Sequence, residues 1–183
     1  LNGKSYTKLV GENSILELPE GMAPQPCVAD ILTRDDGRLA IQAFTPGTYA
    51  FDRLSGNTIS MPINDIPAPV EITGPWKVQF EPERGAPESV TFDHLLSWPD
   101  HENPGVKYFS GRAVYTKDIE LPDTAFAADR TLTLNLGRLA NFAEVRVNGQ
   151  DLGILWKPPY TVEATGALKP GMNHLEIAIT NLW

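Results

Sequence analysis

The stretch EVRVNGQDLGILWKPPYTVEAT, residues 144–165, decides the fold because it combines two alternating apolar runs with a strong turn signal between them. Asn148-Gly149 is the favoured pair for a two-residue type I′ turn, in which both central residues need positive φ. Such a turn would place apolar partners of the two strands on one face. The predicted pairs are Val147 with Gln150, Val145 with Leu152, and Ala143 with Ile154. The stretch therefore predicts a β-hairpin with one buried face.

The end of the same stretch holds two aromatic residues around a proline pair. Trp156 continues the apolar face if the strand stays straight, so its alternation favours a place in the core. A ligand contact is the alternative for this ring. Pro158 and Pro159 prevent further ladder pairing, so Tyr160 should leave the sheet at its end. Tyr160 is the stronger candidate for a contact made from a loop.

Strict alternation of apolar and polar residues recurs through the second half of the chain, and helical periodicity is nearly absent. Each alternating segment predicts a strand with one buried face, as in an antiparallel sandwich. Lys117 interrupts one apolar face, which places it near an edge or a rim. The segments are GPWKVQF (74–80), SGRAVYTKDIEL (110–121), RTLTLNLG (130–137) and NHLEIAIT (173–180).

The first 70 residues are less regular. RLAIQAF (38–44) and GTYAFDR (47–53) predict two strands joined at Thr45-Pro46-Gly47, and LSGNTIS (54–60) predicts a turn. The proline-punctuated segment 61–75 reads as a linker. We therefore predict a small strand-bearing segment and linker over residues 1–70, and a β-sandwich over residues 71–183.

Composition excludes several functional classes. The formal net charge is -8 and the basic residues form no stripe, so a nucleic-acid partner is not expected. No apolar run approaches the roughly 20 residues of a membrane helix. The single cysteine, Cys27, can form neither an internal disulfide nor a zinc site alone. The chain lacks an initiator Met and ends at Trp183 after a strand-like run, so we expect a fragment of a longer protein in which Trp183 belongs to the core.

Taken in order, GPWKVQF, GVKYFSGRAVYTKDIELP (105–122) and the run from Leu134 to Trp183 resemble the sugar-binding-type β-sandwich of family-2 glycoside hydrolases. They resemble still more the sandwich of large family-106-type α-L-rhamnosidases. The resemblance implies an all-β, jelly-roll β-sandwich of the galactose-binding type. It also implies a catalytic domain elsewhere in a longer parent chain, an extracytoplasmic location, and no catalytic residue here.

The segment FDHLLSWPDHENPGVKYFSG (92–111) between two predicted strands is rich in groups that bind sugars. A pyranose is typically held by an aromatic ring against its apolar face and by polar groups on its hydroxyls. The alternative is a polar loop that Trp98 merely anchors, and sheet packing is the alternative for Tyr108. The candidate carbohydrate-binding residues are Trp98, His101, Asn103, Lys107, Tyr108, Trp156 and Tyr160.

Metal and catalytic sites are less well supported. His94 and His101 lie seven residues apart, which matches no zinc motif. No cofactor is expected; the resemblance leaves structural calcium open, but no D-x-D-x-D loop places it. Catalysis would need two carboxylates facing each other across a cleft, and Asp100 and Glu102 are expected to be solvated. We therefore expect a non-enzymatic fragment.

Two functions remain open. The first is a carbohydrate-binding accessory domain of a glycoside hydrolase that acts on plant or other complex glycans, with the catalytic domain of its parent as a partner. The second is a purely structural domain that packs on the catalytic barrel and binds no sugar. Exposure of Trp98 and Tyr160 around one concavity would favour the first, and their burial would favour the second.

Overall fold

The structure is a computed structural model that describes residues 29–34, 36–52 and 56–181. The expectations for Cys27 and Trp183 lie outside these described residues. The chain divides into two compact units, residues 1–69 and 70–183, and each is described by itself. Within the described residues no helix is long and apolar enough to cross a membrane.

The described part of the first unit consists of two antiparallel hairpins. Strand β1 (Ala29–Thr33) pairs with β2 (Leu39–Ala43), and β3 (Gly47–Asp52) pairs with β4 (Thr58–Ile63). The two predicted strands are β2 and β3, but they belong to separate hairpins and do not pair with each other. Strand β4 includes the last residues of the predicted turn, 58–60, and the first residues of the predicted linker, 61–63. Pro62 is tolerated there because β4 has one unpaired edge in its two-stranded sheet.

The second unit is built on a six-stranded antiparallel sheet in the order β10-β9-β12-β7-β5-β6, with a separate two-stranded sheet of β11 and β8. A short helix and two 3₁₀ turns, Trp98–Asp100 and Asp123–Ala125, interrupt the connections. The elements are β5 (Trp76–Phe80), β6 (Ser89–Phe92), α1 (Pro104–Lys107), β7 (Gly111–Leu121), β8 (Thr133–Asn135), β9 (Phe142–Val147), β10 (Gln150–Leu155), β11 (Thr161–Glu163) and β12 (Gly171–Asn181).

Alternation places one face of the large sheet in the core. Along β5, Trp76, Val78 and Phe80 are buried while the residues between them are exposed. The same period buries the predicted apolar face of β9, and Leu175 and Ile177 of β12. Because burial of apolar side chains is the main driving force for folding, this period-2 pattern selects the sheet face that turns inward. The predicted fold class, an all-β sandwich, is confirmed.

The rim position of Lys117 has a direct cause. Strand β7 lies inside the sheet, but the last pair between β5 and β7 joins Lys77 to Thr116. Lys117 lies just beyond that pair. Its Nζ donates to the carbonyl oxygen of Pro75 at 2.9 Å and lies 5.7 Å from the Trp76 ring centroid. The strand therefore accommodates a charged residue on its apolar face where its neighbour begins.

The β9–β10 hairpin has the predicted turn but a different register. Asn148 and Gly149 both have positive φ, 53° and 82°, and Val147 pairs with Gln150 as expected. A β-bulge between Asp151 and Gly153 then shifts the pairing, so that Val145 lies opposite Gly153 rather than Leu152. One extra residue reverses the faces of all positions beyond it.

The bulge corrects the expected faces of Ile154 and Trp156. Ile154 pairs with Glu144, not Ala143, and is 59% exposed. Trp156 is 68% exposed, so the prediction that its ring belongs to the core is wrong. Leu155 takes the position opposite Ala143 instead. The bulge therefore places the side chains of Ile154 and Trp156 on the solvent face instead of the predicted core face.

Candidate functional site

The loop that joins β6 to β7 folds back over the core, and Trp98 is its main anchor. Trp98 is only 6% exposed, and its Nε1 donates a hydrogen bond to the Tyr115 hydroxyl at 2.5 Å. Its ring packs edge-on against Phe80 and Phe109, with centroids 5.8 and 5.4 Å apart. A ring enclosed in this way offers no free face to a sugar. Trp98 is therefore a core residue, in contrast to its expected role in stacking.

Burial also changes the chemistry of the partner hydroxyl. Loss of solvation raises the pKa of Tyr115 to about 12, and the hydrogen bond from Trp98 opposes part of that rise. The phenol therefore stays protonated throughout the physiological pH range. Its role here is to satisfy the indole N–H inside the core.

His101 and Asn103 hold the shape of the same loop. The His101 ring lies 4.9 Å from the Phe92 ring, and its Nδ1 accepts a hydrogen bond from the Asn103 backbone N–H at 3.0 Å. The Asn103 Oδ1 accepts the Gly105 N–H at 2.8 Å and so caps the start of α1. Both side chains are half-buried. His101 Nδ1 and Asn103 Oδ1 thus have structural partners before any ligand is considered.

Two aromatic side chains project into solvent, each with a lysine beside it. Tyr108 is 78% exposed, and the Lys107 Nζ lies 5.9 Å from its ring centroid. Trp156, at 68% exposure, has the Lys157 Nζ at 5.4 Å from its ring centroid. Each pair combines a stacking surface with a nearby N–H donor. Each pair thus has an exposed ring face and an N–H donor, whereas the ring of Trp98 is buried.

The strand register brings these two pairs to the same end of the large sheet. Tyr108 precedes the start of β7, where Gly111 pairs with Asn181 at the end of β12. Asn141, just before β9, donates from Nδ2 to the Asn181 Oδ1 at 3.3 Å. Trp156 follows directly on the end of β10. We call the surface formed by Tyr108, Asn141, Asn181 and Trp156 the aromatic end.

Tyr108 and Trp156 adjoin different strands of the large sheet, β7 and β10. Strands β7 and β10 are three positions apart in the order β10-β9-β12-β7. At about 4.8 Å per strand, their chain positions are about 14 Å apart.

Tyr160 is held elsewhere by its backbone. It is half-buried, and its carbonyl oxygen accepts the Leu136 N–H at 2.9 Å, extending the ladder of β8 and β11. It leaves the large sheet after the proline pair, as the sequence predicts. Since Trp98 is buried and Tyr160 is half-buried, the two do not form one exposed concavity.

No group of three His, Cys, Asp or Glu side chains within the described residues could hold a metal ion. The carboxylates of Asp100 and Glu102 belong to exposed residues of the β6–β7 loop. Structural calcium therefore stays without a placed site.

The structure also brings together polar residues that the sequence did not single out. Lys77, Thr116 and His174 come from strands β5, β7 and β12 and line one depression on the large sheet. The alternation of apolar and polar residues predicted that each of the three lies on the solvent-facing side of its strand. The pairing of strands so far apart in the chain carried no local signal, so their proximity could not be predicted.

Comparison with known proteins shows what the chain is similar to. It is 35% identical over 177 residues to a protein of Formosa agariphila named "Putative beta-glucuronidase", and the match covers 94% of this chain but 15% of that protein. No protein-family model matches the chain.

Solved structures give the same result. A rhamnosidase from Novosphingobium sp. PP1Y matches with a TM-score of 0.59 and 30% identity, covering 73% of this chain and 15% of that one. A β-glucuronidase from Bifidobacterium dentium matches with a TM-score of 0.51 and 25% identity, covering 60% of this chain and 19% of that one. The homologues of this chain are thus glycoside hydrolases, and the chain corresponds to a β-sandwich portion that makes up a small part of each.

Proposed function

We propose that the chain is a non-catalytic part of a larger glycoside hydrolase, and that the aromatic end of its sandwich contacts the carbohydrate on which the parent acts. The match of 94% of this chain to 15% of a larger protein supports the accessory role. On this proposal the parent is a glycosidase of the β-glucuronidase or rhamnosidase type, placed outside the cytoplasm, where complex glycans are met.

The observation that carries the carbohydrate contact is the pair of exposed rings at one sheet end. Tyr108 and Trp156 are 78% and 68% exposed, and each has a lysine ammonium within 6 Å of its ring. Trp is highly buried on average, so two exposed rings at one end of the sheet form a surface suited to contact with a partner. Stacking on the apolar face of a pyranose, with a hydrogen bond from Lys107 or Lys157, fits this surface.

Burial of Trp98 supports a second function for the same surface. The expected stacking residue of the β6–β7 loop is a core anchor, and His101 and Asn103 hold the loop together. The aromatic end would then pack against the catalytic domain of the parent and bind no sugar by itself. The two functions differ in whether the chain alone responds to sugars.

Amide NMR spectra of the labelled 183-residue chain test the proposal. We expect neutral oligosaccharides to cause saturable shifts at residues near Tyr108 and Trp156, and the Trp156→Ala and Tyr108→Ala variants to weaken them by about tenfold. Met172→Ala is the control, since Met172 is 58% exposed and lies at the opposite end of β12. A flat response to a panel of rhamnose, galactose, glucuronate and pectic oligosaccharides would overturn the carbohydrate contact and favour packing on the catalytic domain.

A further inference from the structure

A depression of about 510 Å³ lies on the large sheet and is lined by two lysines, two threonine hydroxyls, a histidine and an aspartate. Thr91, Lys77 and Thr116 form one row across it, because Lys77 pairs with Thr91 on β6 and with Thr116 on β7. His174 and Asp118 form the next row, paired between β12 and β7. Lys117 completes the lining at the rim. The strand register therefore concentrates two lysines, one histidine, one carboxylate and two hydroxyls in one concave surface.

The positive groups of the depression differ in their partners. The Lys117 ammonium is positioned by its hydrogen bond to the Pro75 carbonyl oxygen at 2.9 Å. The Lys77 ammonium has no hydrogen-bond or ion-pair partner among the described residues. Lys117, which is held in place, and Lys77, which has no partner, both line the depression. Together they suit an oxyanion, because each lysine can donate a hydrogen bond to a different oxygen.

Each of the neighbouring carboxylates has a hydrogen-bond or ion-pair partner of its own, and neither is paired with Lys77 or Lys117. Asp118 Oδ1 lies 2.6 Å from His174 Nδ1. Glu176, which pairs with Thr116 on the outer face, has its Oε1 3.6 Å from Arg146 Nη1. The two lysines thus remain available in a chain whose formal net charge is -8. The excess of lysines in the depression is therefore local, since the chain as a whole is acidic.

We propose that this depression binds the carboxylate or sulfate group of an acidic saccharide. Its volume is within the range of about 300–1,000 Å³ found for small-molecule sites and exceeds that of a lone anion. Lys77 and Lys117 bind the anionic group, and the Thr91 and Thr116 hydroxyls bind neighbouring ring hydroxyls. The inference rests on the proposed carbohydrate contact of the parent enzyme, but it concerns a different surface from the aromatic end.

The test is an NMR titration of the 183-residue chain with matched ligands. Methyl β-glucuronide is compared with methyl β-glucoside, which lacks the charge, and a sulfated methyl glucoside and inorganic sulfate are added as separate arms. We expect saturable shifts at residues of the depression with the two charged sugars and none with the neutral one. Added salt should weaken the binding by screening.

Lys77→Gln should raise the Kd of the charged sugars by about tenfold, because one charge-assisted hydrogen bond is lost. Lys77 is exposed and makes no described side-chain contact, so the variant should keep its fold. Arg138→Gln is the control: it removes the same charge from an exposed residue that does not line the depression, and should leave the Kd unchanged.

The outcomes separate this inference from the proposed function. Shifts at Tyr108 and Trp156 without shifts in the depression would overturn the acidic-saccharide site and leave the aromatic end intact. Shifts in the depression alone would support the site while removing the aromatic contact. Equal binding of inorganic sulfate and of the sugars, or an equal effect of Arg138→Gln, would overturn saccharide recognition by the depression.

Discussion

Asn148 shows how one residue can serve a turn and a tertiary contact together. Its φ of 53° fits the first position of a type I′ turn. Its Nδ2 donates to Ala167 O and to Asn173 Oδ1, both at 2.8 Å, and its Oδ1 accepts the His174 N–H at 2.9 Å. Asn173 is only 2% exposed; its Oδ1 accepts from Asn148 Nδ2 and from the Lys169 N–H, and its Nδ2 donates to the carbonyl oxygens of Lys169 and Gly171.

These two roles can be separated by substitution. Asn148→Gly keeps the positive φ but loses the side-chain bonds, and should lower the free energy of unfolding by about 1–2 kcal/mol. Asn148→Ala loses both and should cost about 1 kcal/mol more. Asn141→Gly is the control, because Asn141 also has positive φ, 71°, but its side chain makes a longer exposed bond of 3.3 Å. Urea unfolding measures all three; an Asn148→Gly variant as stable as the parent chain would exclude a stabilising role for the side-chain bonds.

The buried hydroxyl of Tyr115 predicts a loss of stability in alkali. Its pKa is about 12 in the folded chain against 10.0 for an unperturbed tyrosine. The stabilisation that comes from keeping the Tyr115 hydroxyl protonated is therefore fully present below pH 10.0. It is lost as the pH rises toward 12, because in that window the tyrosine ionises readily only in the unfolded state. The loss should be on the order of 2–3 kcal/mol.

Tyrosinate absorbance during an alkaline titration measures this directly. Tyr115 should appear as a step displaced to high pH, because burial raises its pKa to about 12. Tyr115→Phe should remove the late step and also lower stability at neutral pH, since the Trp98 N–H loses its acceptor. Ionisation of all five tyrosines in one step would contradict the burial of this hydroxyl.

Among the elements, the β9–β10 hairpin depends on two glycines with positive φ, Gly149 in the turn and Gly153 in the bulge. Gly153 has a φ of 98°, and its N–H is bound by the Asp151 Oδ1 at 2.8 Å. A Cβ at Gly153 would meet no atom within 4 Å, so only backbone strain opposes a side chain there.

Gly153→Ala should therefore destabilise the chain by about 1–2 kcal/mol. Gly166→Ala is a matched control, because a Cβ there also meets open space but the backbone does not have positive φ. That variant should be neutral or slightly stabilising. Thermal melts compare the two, and equal melting temperatures would argue against the bulge.

The hairpin also shows which structural features could be predicted from the sequence and which could not. Alternation and Asn148-Gly149 predicted both strands, the turn and the first pair, because these depend on neighbours in the chain. The bulge at Asp151–Gly153 depends on competition between registers. Gly153 within the strand is a local signal for a bulge, but the alternation of its neighbours favoured the unbulged register. The consequence of the bulge was large, since one inserted residue moved Trp156 from the expected core face to solvent. For Trp98 the sequence left loop anchoring and sugar stacking open, and the structure shows the anchor. The choice could not be made from the sequence, because a loop aromatic finds its core contacts only once the sheet has formed.

At the scale of the whole molecule, the buried core found among the described residues lies in the second unit. The cluster around Phe80, Trp98 and Leu175 draws all its members, buried and partly buried, from residues 72–179. The described part of the first unit has two-stranded sheets only, and Leu39 is 74% exposed there. Two-stranded hairpins are marginal by themselves, whereas a sheet of six strands with a packed face is sufficient for stability.

Residues 70–183 expressed alone should therefore fold, unfold cooperatively in urea, and give amide shifts in β5, β7, β9 and β12 that match those of the full chain. The reason is that every strand of the large sheet, and every side chain of its core, is present in that segment. A Leu175→Ala variant of the same segment, which opens a cavity at a fully buried site, should lose about 2–5 kcal/mol and is the control for cooperative packing. A segment with collapsed amide dispersion, or one insensitive to Leu175→Ala, would show that the core of the second unit needs the first unit to form.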